Sequence, residues 1–62
     1  MKRASYREGI DIIAMNDDPG EMDVEAVSES ITVMLLAELF GVERERVARD
    51  VVRHRAKHGA QS

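Results

Sequence analysis

Apolar residues recur at helical spacing in three stretches of the chain, and each stretch is flanked by residues that start or stop helices. In the first, Tyr6, Ile10, Ile13 and Ala14 fall on one side of a helix. Ser5-Tyr6-Arg7-Glu8 has the spacing of a capping box, in which the Ser hydroxyl and the Glu carboxylate each accept from an otherwise orphaned backbone N–H. The run stops at Asn16-Asp17-Asp18-Pro19-Gly20, where Pro disfavours the helical region before it and Gly eases a turn. The pattern predicts a helix over about residues 6 to 16. Gly9 inside it costs roughly 1 kcal/mol relative to Ala, and Ile10, Ile12 and Ile13 would also suit a short strand.

The second stretch is longer. Met22-Asp23 offers a staple residue and an N-cap, Val27 stands at the staple partner position, and Gly41 closes the far end, so the pattern predicts one helix over about 24 to 40. At ~100° per residue, Val24, Val27, Ile31, Met34, Leu35 and Leu39 share one face, while Val33, Leu36, Ala37 and Phe40 share another. A third helix, about 44 to 57, turns Val47, Ala48, Val51 and Val52 inward. Residues 58 to 62 read as a disordered tail. The resulting expectation is all-α: one small three-helix domain over residues 1–62.

Length sharpens that picture. A chain of 62 residues without Cys has neither a disulfide nor a Cys/His zinc site to reinforce a small core, so association with a second copy is the remaining device. A helix apolar on two sides needs two covers, which places the predicted seam of a homodimer, with exchange of a terminal helix as an option, at Val33, Leu36, Ala37 and Phe40. Residues 30 to 37 form the longest uncharged run, too short for a membrane span of ~20 residues, and the N-terminus lacks a signal-peptide core. Together with the missing Cys, this predicts a cytoplasmic protein with no membrane partner.

Charge is uneven beneath a net value of −3. Lys2, Arg3 and Arg7 lead. Residues 9 to 41 then carry Asp11, Asp17, Asp18, Glu21, Asp23, Glu25, Glu29 and Glu38 with no Lys or Arg, and the remainder is mostly basic. Basic ends can lie against acidic middles, in one chain or between copies, or meet nucleic acid. Overall acidity favours the first reading.

The most specific local pattern is Leu36-Ala37-Glu38-Leu39-Phe40-Gly41-Val42, followed by Val47, Arg49 and Val51. It resembles a helix-turn-helix motif: Ala37 lets two helices approach, Gly41 takes the turn, and Val42, Val47 and Val51 seat the second helix. Arg46, Arg49, Arg53 and Lys57 then form a single outer stripe suited to phosphates. Glu43 and Glu45 depart from the motif, because they stand where base contacts are expected. The preceding helix is about twice the usual length unless Ser28 or Ser30 breaks it. An ordinary two-helix corner would carry the same residues.

Other candidates are weaker. Asp50, His54 and His58 stand at i, i+4 spacing and could grip a metal, but a solvated surface accounts for them. The acidic run from Asp17 to Asp23 lacks the alternating ligands and closing Glu of a calcium loop, and reads as a turn plus N-cap. Met15, Met22 and Met34 read as core filler. No cysteine nucleophile, Gly-rich phosphate loop or Ser/His pair is present, so no enzyme activity, cofactor or small-molecule substrate is expected.

Taken together, Tyr6-Arg7-Glu8, Ile13 to Asp18, Leu35 to Gly41, and Val47 to Val52 with Arg53 and Arg55 resemble a group of short bacterial proteins to which no activity is assigned. The resemblance spans most of residues 6 to 55. It implies a folded bacterial domain and carries over no catalytic or ligand residue. The reading that follows is a helical homo-oligomeric interaction module, with helix-turn-helix DNA binding as the alternative.

Overall fold

Ser5 and Glu8 make the reciprocal bonds of the capping box: the Ser5 amide donates to Glu8 Oε1 at 2.9 Å, and the Glu8 amide to Ser5 Oγ at 3.1 Å. They start α1, Tyr6–Asn16, the first of four helices in a computed structural model that describes residues 5–16 and 20–59. The others are α2 (Val24–Ser28), α3 (Ile31–Phe40) and α4 (Arg44–Gly59). Among the described residues there is no strand. Part of the acidic turn, residues 17–19, and residues 60–62 of the expected tail lie outside the described residues. His58 and Gly59 belong to α4.

The single helix expected over 24 to 40 is two. Asp23 caps α2, its carboxylate accepting from the Glu25 amide at 3.2 Å. After one turn the buried Ser28 hydroxyl donates to Glu25 O at 2.7 Å, and the Glu29 and Ser30 amides close short i−3 bonds to Ala26 and Val27. Ser30 is extended (φ −67°, ψ 140°) and opens α3 as its N-cap. Serine hydroxyls compete for backbone partners and so favour caps over helix interiors. The break gives α2 and α3 separate directions against α4.

Gly41 ends α3 in the left-handed region, φ 65°, while the Val42 amide reaches back to Ala37 O at 2.9 Å. This is a Schellman turn, with Gly at the position where a Cβ is disfavoured. α4 follows at once and packs against α1, α2 and α3 alike. Val47, Ala48 and Val51 are completely buried there, joined by Ile10, Ile13, Ala14, Val27, Val33, Leu36 and Ala37.

Burial corrects the expected seam. Val33, Leu36 and Ala37 are covered by the chain's own helices, Val33 completely. Phe40 is part-exposed and sets its ring edge-on to Tyr6, centroids 5.6 Å apart. Because α3 turns independently of α2, the residues expected to face inward with Val27 point outward instead. Ile31, Leu35 and Leu39 are 72%, 60% and 78% exposed. Met15, Met22 and Met34 are exposed as well, not core filler. Gly9, a cost on propensity alone, lies where α1 crosses α3: a Cβ there would stand 2.6 Å from Leu36 Cδ1.

One charged side chain holds the helices together at the far end. Arg55, 8% exposed, donates from Nε to Ala14 O (3.1 Å), from Nη2 to Ile13 O (3.2 Å) and from Nη1 to Glu21 O (2.8 Å). Ile13 and Ala14 belong to the last turn of α1, whose carbonyls lack helical partners and carry the negative end of the helix dipole. Replacing Arg55 with Met keeps the apolar stem and strips the donors. Arg55→Met is expected to lose about 2–4 kcal/mol in urea denaturation followed by circular dichroism. Arg55→Lys should recover only part of this, because an ammonium lacks the planar fork. Unchanged stability in Arg55→Met would refute the role.

Candidate functional site

Two continuous surfaces are left uncovered by the described residues. The first is the outer side of α3. Residues four apart lie nearly above one another on a helix, so Ile31, Leu35 and Leu39 make one continuous apolar stripe, flanked by Met34, which is 38% exposed. Arg44 donates to the Met34 sulfur at 3.7 Å across the α3–α4 turn. Such a stripe exists because α3 is apolar nearly all round: one side fills the core and the other is left over.

The second is the outer side of α4. The stripe of Arg46, Arg49, Arg53 and Lys57 lies opposite Val47, Ala48 and Val51, and all four cations are exposed. Among the described residues none of the four takes part in an ion pair. Glu43 and Glu45 are exposed at the N-terminal end of the same helix, where carboxylates complement the helix dipole. The Arg46 and Val47 amides both bond Glu43 O, which closes the first turn.

Between α1 and α4 runs a groove lined by Arg7, Ile10, Asp50, Arg53, His54 and Lys57, with Tyr6 at one end. Its acidic residue, Asp50, is engaged. Tyr6 donates its phenol to Asp50 Oδ2 at 2.6 Å, and His54 Nε2 stands 2.9 Å from Asp11 Oδ1. His54 also stacks on His58, ring centroids 4.2 Å apart. The three residues at i, i+4 spacing on α4 have separate contacts: Asp50 accepts from Tyr6, and His54 faces Asp11 on another helix and stacks on His58. Among the described residues no group of three metal-ligating side chains converges.

Sequence reading did not find Arg55, the Tyr6–Asp50 bond or the His54–Asp11 contact. For Arg55 a signal was present. It follows Val47, Ala48 and Val51 at intervals of eight, seven and four residues, which puts a charge squarely on the buried stripe. The other two pairs span more than forty residues and depend on how α1 crosses α4.

Burial pushes the Tyr6 phenol up to about 12, with the hydrogen bond to Asp50 and the Asp50 charge adding and Arg46 opposing. The folded value lies above the ordinary 10, so the stabilisation is complete below pH 10 and is lost as pH rises through 12. Tyr6 is the single tyrosine and there is no tryptophan, so ultraviolet titration of the phenolate reads it alone. Wild type is expected to titrate near 12, and Asp50→Asn closer to 10. A wild-type midpoint at the ordinary value would contradict the bond.

No protein-family model matches this chain, and neither does any curated protein or solved structure.

Proposed function

We propose that the protein is a helical interaction module that associates with a second copy of itself through the outer face of α3. The stripe Ile31–Leu35–Leu39 carries this reading, because three large aliphatic side chains in one row stand 60–78% exposed on a single helix. The size of the core supports it. Among the described residues ten apolar ones are buried, while eight large ones remain exposed. A straight apolar row is self-complementary, so a two-fold contact would lay one stripe along its equal and bury both at once. Among the described residues no helix is long and apolar enough to cross a membrane.

A second reading is favoured by a separate observation, four exposed cations on the outer face of α4 that take part in no ion pair among the described residues. Here the α3–turn–α4 unit binds duplex DNA, with Arg46, Arg49, Arg53 and Lys57 meeting phosphates. The two surfaces lie on different helices and do not compete.

Sedimentation equilibrium from micromolar to hundreds of micromolar tests the first reading. Wild type is expected to associate, and Leu35→Asp or Leu39→Asp to give a folded monomer. Leu36→Asp, which buries a carboxylate in the core, should unfold the chain instead. A folded wild-type monomer throughout that range would refute self-association.

A further inference from the structure

We propose that the outer face of α4, extended by Arg7 of α1, holds duplex DNA by its phosphates alone and reads no bases. This rests on the nucleic-acid reading of that face and fixes its mode. Arg46, Arg49, Arg53 and Lys57 fall within an arc of roughly 80° and are spread along about 16 Å of helix. That span exceeds the ~12 Å width of the major groove, so cations at the two ends can meet phosphates on both rims. Arg7 lines the α1–α4 groove together with Arg53 and Lys57, and adds a cation from a second helix.

The same helix is unsuited to enter the groove end-on. Base contacts in helix-turn-helix proteins come from the N-terminal residues of the second helix. Here that end presents Glu43 and Glu45, both exposed, and two carboxylates pushed between phosphate rims would be repelled. Arg46 follows Glu45 directly and the other stripe cations lie one to three turns further on, up to the last turn of the helix, so α4 meets the phosphates with its side and not with its N-terminus. The five cations outnumber the carboxylates of the α1–α4 face, where Asp50 accepts from Tyr6, Asp11 faces His54 and Glu8 accepts from the Ser5 amide. Among the described residues these guanidinium and ammonium heads take part in no ion pair that phosphates would first have to break.

The test uses the full chain and two fluorescein-labelled 20-base-pair duplexes of unrelated sequence, one AT-rich and one GC-rich, followed by anisotropy from 50 to 200 mM NaCl. Four to five phosphate contacts predict a log–log slope of about −4, a loss on the order of a hundredfold across that range, equal for both duplexes. Arg49→Gln/Arg53→Gln should flatten the slope by about two. Arg49→Lys/Arg53→Lys should keep it, because phosphates ask for charge and not for a planar fork. Arg44→Gln, off the stripe, should leave affinity within twofold. Glu43→Gln/Glu45→Gln should tighten both duplexes equally.

Circular dichroism of each variant checks that the fold is intact. A preference above tenfold for one duplex, or a loss confined to one duplex in the Lys variant, would overturn backbone-only binding while leaving DNA binding in place. Stripe variants that bind like wild type would overturn the assignment of the face. Absence of binding to either duplex at 50 mM NaCl would overturn the nucleic-acid reading itself.

Discussion

The Arg55 guanidinium is the contact on which the arrangement of helices depends. From one side chain of α4 it reaches two carbonyls at the end of α1 and a third just ahead of α2. A buried guanidinium is costly to desolvate and stays only where its donors are matched. Here the acceptors are helix-end carbonyls, which need donors as much as the guanidinium needs acceptors. At the opposite end of α4 the Gly41 turn fixes α3. Between these two anchors the valines of α4 have little freedom in what they meet, and Val47, Ala48 and Val51 are completely buried.

From that arrangement follows the unusual surface. α4 occupies the centre and its neighbours each offer it one side. α1 turns Ile10, Ile13 and Ala14 inward and α2 turns Val27 inward, which leaves Ile12 and Met15 of α1 exposed. α3 has two apolar sides, and after the break at Ser28-Glu29-Ser30 only the side bearing Val33, Leu36 and Ala37 can face α4 and α1. The other side is left to solvent or to a partner. The stripe of Ile31, Leu35 and Leu39 is thus a consequence of where the chain breaks its second helix, and the basic stripe of α4 a consequence of α4 being covered on one side only.

Much of this was legible in the sequence. The capping box at Ser5, the extent of α1, the Gly41 turn, the inner face of α4 and the outer cations all follow from local spacing, and local spacing survives folding. The break in the second helix was legible only as a condition, through two serines, because the apolar pattern continues across it without a fault. With one unbroken helix the two faces of α3 exchange, and three residues of the expected partner seam, Val33, Leu36 and Ala37, belong to the core. The Tyr6–Asp50 and His54–Asp11 pairs were not legible at all. Each joins α1 to α4 across most of the chain, and no periodicity in one helix reports the register of another. Arg55 stood in between: its place on the valine stripe marked it as buried, but its acceptors were main-chain carbonyls, which leave no trace in a sequence.

Native-state hydrogen exchange in increasing urea tests most directly whether α4 and Arg55 bind the helices into one cooperative unit. The account predicts that the amides of Ile13 and Ala14 in α1 and those of Val47, Ala48 and Val51 in α4 converge on a single opening free energy with the same urea dependence. Exchange of α1 through its own lower-energy opening, while α4 keeps full protection, would contradict it.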